Sequence, residues 1–411
     1  VVAALRVLTE TGLVERRQGS GTTVADRPAA RPRRSVPAAG LRAQGLTGRA
    51  IGGAPGGTIE LGLSVLDDPT SLPAGAFTID PETLAHASRD HGYAPLGIPA
   101  LRDRIAELLS HQGVPTEASE VAITLGVQHG IALVADVLAE RGDRVVLEDP
   151  TYPGAIDVYS RAGLELVPVR VDRAGTDPVS LRVALDRGPV RLVHLSPQCA
   201  SPTGVTTTPR RLEEIAGLLH RSDAWLVEDA ALQFLVPQEG QQFLTTRRPD
   251  RSILLGTVSK VFWGGLRVGW LRAPAAVVER VGRLRAAHDL GSSIAPQVTA
   301  LRLLDELDEI GGRRRAEAAR RREHLAARIE EQLPSVVCVV PDGGLGLWLQ
   351  VPDGPEVVAE AARRGLDVLA GPVCSITNGC TDRLRISAWA STDVLDVAVE
   401  RLAAAVAATA R

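Results

Sequence analysis

From about residue 58 to the C terminus, short apolar runs alternate with amphipathic helical stretches, and this alternation limits the fold more than any other feature of the chain. The runs VAITL, DRVVLED, LELVPV, RLVHLS, AWLVEDA and SILLGT are rich in aliphatic and β-branched residues. Each is separated from the next by enough chain for a crossover helix, so the strands pair side by side in parallel rather than as hairpins. The predicted class is therefore α/β, a mostly parallel sheet with helices on both faces. Later strand signals, VVCVV, GLGLWLQV and RLRISAW, with helical patterns around 357–364 and 392–408, predict a small C-terminal α+β domain. Between the two, residues 296–333 read as long helical structure whose arginine runs at 313–315 and 320–322 form a solvated face.

The N-terminal part has a different character. Val2, Leu5 and Leu8 form a helical stripe that stops at Gly12, and the strand-like runs Leu13 to Arg17 and Thr22 to Ala25 flank Gln18-Gly19-Ser20-Gly21. A helix followed by such a hairpin is the last part of a winged helix-turn-helix. Residues 27–57 hold six arginines and no acid among many Pro, Ala and Gly, the composition of a flexible basic linker that adds phosphate attraction to a neighbouring DNA-binding module. The expected domains are 1–26, a partial winged helix-turn-helix; 27–57, the linker; 58–300, a large domain; and 301–411, a long helix with the small domain. At 411 residues the chain exceeds what one core organises.

The net charge of −3 exerts no global pull on nucleic acid or membrane. No window is apolar enough for a membrane span, and the first residues lack the order of regions of a signal peptide, so a cytoplasmic protein without membrane contact is expected. Cys199, Cys338, Cys374 and Cys380 have neither CxxC spacing nor a nearby histidine cluster, which supports neither a metal site nor a disulfide framework.

One count bears directly on chemistry. Of 46 basic residues, 45 are arginine and one is lysine, Lys260. Arginine replaces lysine wherever only a cation is wanted, but a guanidinium is not a free nucleophilic amine near neutral pH. Lys260 stands in Gly256-Thr257-Val258-Ser259-Lys260, directly after the strand signal at 252–255, with Arg267 seven residues on in Gly264-Gly265-Leu266-Arg267. Hydroxyls and a guanidinium around one lysine suit a phosphate monoester held beside an imine-forming amine.

The string GTVSK with GGLRVGW resembles the cofactor-lysine signature of fold type I pyridoxal 5'-phosphate (PLP) enzymes, the aspartate aminotransferase superfamily, and further matches follow in that family's order over roughly 58–411. The resemblance implies PLP as cofactor, Lys260 as the amine that bonds to it, and a homodimer with shared sites. Gly126-Val127-Gln128 resembles the glycine turn whose backbone N–H groups receive the cofactor phosphate at a helix start. Thr257, Ser259 and Arg267 fall with the phosphate partners. Tyr152 in EDPTYPG resembles the aromatic stacked on the pyridine ring, and Tyr93 in HGYAPLGIPALR the tyrosine that reaches the partner subunit's phosphate. Asp229 in WLVED resembles the aspartate paired with the ring nitrogen, and it joins Lys260 as a catalytic candidate. Arg385 in DRLRISAW resembles the arginine that grips a substrate α-carboxylate.

Three positions depart from the pattern. Ser201 stands where an asparagine usually contacts the ring oxygen before the turn Pro202-Thr203-Gly204, Ala231 or Leu232 replaces a tyrosine that is a second partner of that oxygen, and Gly264 replaces a proline. The thin ring-oxygen contacts count against efficient transamination.

The string VVAALRVLTETGLVERRQGSGTTVAD resembles the end of a GntR-type winged helix, with Arg16 and Arg17 on the wing where phosphate or minor-groove contacts are made. Together with the linker and the aminotransferase-like body this is similar to the layout of MocR-type regulators, which implies DNA as a partner and an amino compound as the sensed ligand. The chain opens inside the recognition helix of such a head. The reading therefore expects either preceding helices in a full-length regulator or a head that no longer selects an operator. The alternative is a working class I/II aminotransferase acting on an amino acid.

Overall fold

The computed structural model describes residues 14–17, 21–24, 56–66, 68–88 and 91–409. The helix expected over 1–11 and all but the last residues of the expected linker lie outside the described residues. β1 (Val14–Arg17) and β2 (Gly21–Val24) pair antiparallel with Val14 opposite Val24 and Arg17 opposite Gly21. This is the hairpin read from the sequence, except that Gly21 belongs to the second strand and not to the turn. β3 (Ile59–Glu60) follows.

Eight strands form the main sheet: β4 (Val121–Thr124), β5 (Arg144–Asp149), β6 (Glu165–Asp172), β7 (Gly175–Thr176), β8 (Leu192–Leu195), β9 (Trp225–Asp229), β10 (Ser252–Thr257) and β11 (Gly269–Arg272), in the order β4-β11-β10-β9-β8-β5-β6-β7. The contiguous block β10-β9-β8-β5-β6 is parallel, as the helix-length spacers require. β11 runs antiparallel because the chain doubles back after Lys260 with only a short 3-10 turn at Gly264–Leu266 in between, and it pairs with both β10 and β4.

Both faces of the sheet are covered. Ile123, Leu254 and Trp270 pack with Leu101, Ile105 and Leu109 of the helix Pro99–His111 and Leu303 of the helix Ile294–Asp305. Their chain neighbours Ala122, Leu255 and Leu271 point the opposite way, toward the helices Val127–Leu138 and Ala275–His288. Period-2 alternation in which both faces are apolar is what turns these strands into continuous hydrophobic runs. No helix among the described residues is long and apolar enough to cross a membrane.

The C-terminal part carries β12 (Val337–Cys338), β13 (Gly346–Gln350), β14 (Leu366–Asp367), β15 (Leu369–Ala370) and β16 (Arg383–Ser387). β12-β13-β16-β15 form one antiparallel sheet, covered by the helices Leu307–Gln332, Gly354–Arg363 and Thr392–Thr409 through Leu325, Ile329, Val357, Leu395 and Leu402. β14 pairs in parallel with β3, and Leu61 lies in this same C-terminal core. Residues 59–61 thus lie in the C-terminal layer before the chain enters the large one, a crossing that local sequence spacing does not reveal.

The solvated arginine face expected of the long helix needs correction. Arg314 and Arg322 are buried, and they fall on the same stripe as Leu307, Ile310, Ala318, Leu325 and Ile329. The Arg314 and Arg321 guanidinium carbons lie 5.3 and 4.3 Å from the Trp389 ring centroid, and Arg322 donates to the Gly344 carbonyl. The helix packs against residues of both layers, so its inner stripe recruits arginines whose stems are apolar and whose heads find a ring or a carbonyl.

Candidate active site

The polar cluster forms at the carboxyl ends of the parallel strands, where strand termini and helix starts converge as in open α/β sheets generally. β4 ends at Thr124, and Gly126 then adopts φ +100 as the N-cap of the helix Val127–Leu138. A side chain there would be strained by that φ, and its Cβ would lie 3.7 Å from both terminal nitrogens of Arg267 and 3.8 Å from Thr257 Oγ1. Gly126, Arg267 and Thr257 thus border one small space at a helix start, whose first N–H groups have no intrahelical acceptor.

Around that space the groups are held by one another. Thr257 Oγ1 donates to the Val268 carbonyl at 2.8 Å and lies 3.0 Å from Ser259 Oγ, and the Ser259 backbone N–H donates to Thr257 Oγ1 at 3.1 Å. Arg267, with φ +52, donates to the Leu125 carbonyl. Val127 is buried, with its side chain in the apolar cluster beneath the helix. Gln128 Nε2 donates to the Gly154 carbonyl at 3.2 Å, while its Oε1 is buried with no hydrogen-bond partner.

Tyr152 caps the helix Pro153–Ala162. Burial pushes its hydroxyl up to about 12, with the Asp229 charge adding to the effect and Arg267 opposing it, so the ring sits within electrostatic reach of both. Asp229 closes β9, is 7% exposed and accepts from the Ala231 N–H at 2.9 Å. Burial raises its carboxyl to about 6, against the pull of that hydrogen bond and of Lys260.

Lys260 follows β10, which pairs directly with β9. Its Nζ donates to the Ser64 carbonyl at 2.7 Å. Burial depresses the amine to about 8, reinforced by the Arg385 and Arg267 charges and opposed by Asp229. Arg385 on β16 turns its guanidinium toward the same segment, donating to the Gly62 carbonyl at 3.3 Å and to the Ser64 hydroxyl. Thus Lys260, Asp229, Tyr152, Arg267, Thr257, Ser259, Gly126, Gln128 and Arg385, spread over 260 residues of sequence, meet in one place.

Other candidates take no part in the contacts just described. Tyr93 is 60% exposed beside His91 and joins none of these groups within one subunit. Ser201 is half-buried in the turn after β8. Arg16 and Arg17 lie in β1, but their side chains are outside what is described.

Two residues that sequence reasoning missed belong to the cluster. Ser64, in the segment after β3, touches both Lys260 and Arg385 across gaps of 196 and 321 residues that leave no local trace. His194 lies in β8, fully buried, with Nε2 3.9 Å from Asp229 Oδ2. A histidine inside the apolar run RLVHLS is the signal that could have found it.

The family model of class I and II aminotransferases matches residues 59–402. The chain belongs to that family. Among curated relatives of this aminotransferase-family chain are the aminotransferase tdiD of Emericella nidulans, 33% identical over 252 residues that cover 56% of this chain and 58% of that protein, and the HTH-type transcriptional regulator TauR of Rhodobacter capsulatus, 30% identical over 281 residues that cover 65% and 55%. The chain thus spans little more than half the length of these two relatives. Among solved structures, LysN, the α-aminoadipate aminotransferase from Thermus thermophilus complexed with N-(5'-phosphopyridoxyl)-L-leucine, superposes with a TM-score of 0.80 over 90% of this chain and 95% of that one at 24% identity. The fold is that of the fold type I aminotransferases.

Membership of the family implies pyridoxal 5'-phosphate as the cofactor, and the residues present fit it. The glycine cradle with hydroxyls and a guanidinium suits a phosphate, a buried carboxylate suits a protonated ring nitrogen, and a depressed lysine amine suits an aldehyde.

Proposed function

We propose that this chain is a PLP-dependent, MocR-type regulator that senses PLP or an amino compound through its aminotransferase-family body. The observation that carries the reading is the antiparallel hairpin of β1 and β2 ahead of that body, carrying Arg16 and Arg17. Relatives called HTH-type transcriptional regulators support it, TauR among them.

In this reading Gly126, with the first turn of its helix, presents N–H groups to the phosphate, and Thr257, Ser259 and Arg267 add side-chain donors. Tyr152 covers the ring face, Asp229 holds the ring nitrogen, Ser201 faces the ring oxygen, and Tyr93 reaches the partner subunit's phosphate, which makes the functional unit a homodimer. When bound, the cofactor supplies an aldehyde carbon to an amine and a ring that accepts electrons. With its amine near 8, Lys260 keeps about a tenth of its population neutral at pH 7, whereas an ordinary lysine near 10.5 keeps well under a thousandth. Arg385 offers a forked donor to a ligand carboxylate. Its present partners are Ser64 and Gly62, so a carboxylate competes with main-chain and hydroxyl oxygens of the segment next to the linker, and ligand occupancy is felt there. The DNA head is then repositioned through that connection.

The second reading is a turning-over aminotransferase, in which Lys260 moves the proton at the substrate Cα as base and then acid. The PLP-holding residues and enzyme relatives such as tdiD favour it. Single-turnover spectroscopy with a panel of amino acids separates the two. A persistent bound ligand with no keto acid released supports the sensor, and rapid stoichiometric keto acid overturns it in favour of the enzyme.

A further inference from the structure

His194 and Tyr159 form a buried polar pair that has no part in the roles assigned above. Tyr159 lies in the helix Pro153–Ala162, about two turns beyond the N-cap Tyr152, and it is one of only three tyrosines in the chain. Both Tyr159 and His194 have no solvent exposure. The Tyr159 hydroxyl is 3.1 Å from His194 Nδ1, and the two rings meet edge to face at 5.7 Å. On the other side of the imidazole, Nε2 has no hydrogen-bond partner and faces Asp229 Oδ2 at 3.9 Å.

This arrangement selects one tautomer. Burial holds the imidazole neutral, with its pKa pushed down to about 4, so one ring nitrogen carries hydrogen and the other a lone pair. A lone pair on Nε2 would point at a carboxylate already removed from water, which is repulsive. A phenol proton donated to Nδ1 resolves this, since it leaves the hydrogen on Nε2 and aims an N–H dipole at Asp229. Such a dipole has work to do. Asp229 loses solvation at its position and shares its neighbourhood with the buried carboxyl of Glu148, which burial and then the Asp229 charge push up to about 7. The Ala231 N–H serves Oδ1, and Oδ2 faces the imidazole.

We propose that Tyr159 and His194 are positioning residues: the phenol fixes the imidazole tautomer, and the imidazole N–H orients Asp229 and keeps it ionised for the cofactor ring nitrogen. The proposal rests on the reading that Asp229 meets that nitrogen. At 3.9 Å the contact is longer than a hydrogen bond, so the imidazole acts as a fixed, oriented dipole that needs no proton transfer.

The test uses the full chain and PLP itself. Dissociation constants from equilibrium dialysis are compared for wild type, Tyr159→Phe, His194→Leu, His194→Gln and Asp229→Asn, with 15N NMR of His194 in wild type and in Tyr159→Phe. The expected result is an Nε2–H tautomer in wild type that becomes mixed in Tyr159→Phe. PLP binding should weaken about tenfold in Tyr159→Phe and His194→Leu, and recover to within about threefold of wild type in His194→Gln, whose amide N–H can face Asp229. Tyr159→Phe keeps the ring and its packing, so a folding defect in His194→Leu does not remove the test. If Asp229→Asn weakens PLP while the other variants bind like wild type, or if His194 is Nδ1–H in wild type, the inference is overturned and the reading of Asp229 stands. Absence of PLP at Lys260 in wild type overturns both.

Discussion

The two sides of the cluster are unequally equipped. On the side proposed to hold the phosphate and ring nitrogen, Thr257 and Ser259 are bonded to each other, Arg267 is anchored on the Leu125 carbonyl next to Gly126, and Asp229 is fixed by the Ala231 N–H. On the side proposed to meet the ring oxygen, Ser201 stands on a turn and Ala231 and Leu232 bring no side-chain donor. The contrast teaches that holding a cofactor and using it make separate demands. The first needs a phosphate cradle and a ring anchor, and the second also needs groups that tune the amine bond, which are reduced on the proposed ring-oxygen side.

The largest expected effect bears on the well-equipped side. Lys260→Ala should abolish all cofactor fixed to the chain by borohydride, read by peptide mass spectrometry, and the assignment is unambiguous because no other lysine exists. A labelled peptide in the variant would break the comparison at its root.

Next in size, Asp229→Asn should weaken PLP binding by roughly 100-fold, as expected when one member of a buried charge pair is lost. The same group sets a pH dependence. Its folded pKa is raised to about 6, so protonation on descending through pH 6 removes the negative partner of the ring nitrogen, and PLP affinity should fall below that point. Affinity titrations should lose this feature in Asp229→Asn, and a variant that keeps it would show that another group titrates.

Arg385→Ala should weaken carboxylate-bearing amines by roughly 30-fold, the scale of a charge-assisted hydrogen-bonded pair, and leave plain amines within about twofold. Equal losses for both ligand classes, measured by spectral titration, would remove Arg385 from the recognition of carboxylates.

The smallest effect addresses the poorer side directly. Ser201→Asn restores an amide next to the ring oxygen and should raise the single-turnover rate of keto acid formation about fivefold, the value of one net hydrogen bond. No change would place the deficit elsewhere, with Ala231 and Leu232 the next positions to examine.

Most of the large layer is legible in the sequence because its constraints are local. The strands β4, β5, β8, β9 and β10 follow from apolar runs of strand length, and the cradle from a glycine between a strand and a helix start. His194 is legible only as an anomaly, since a buried polar residue interrupts an apolar run without saying which partner it has. The arginines of the long helix mislead, because charge composition predicts solvent exposure while a helix wedged against two layers buries a full stripe, Arg314 and Arg322 included. Ser64 is not legible at all.

The sequence by itself determined the chemistry on offer: one amine in a chain otherwise supplied with guanidinium groups, an aspartate at a strand end, a glycine turn and hydroxyls at spacings short enough to act together. Only the tertiary structure decided which distant groups face one another, namely Ser64 with Lys260 and Arg385, and Tyr159 with His194 and Asp229. The physical reason is range. Backbone propensity and side-chain periodicity act over a few residues, whereas the burial that depresses Lys260 and raises Asp229, and the direction in which an imidazole points, arise when segments hundreds of residues apart are packed together and water is excluded between them.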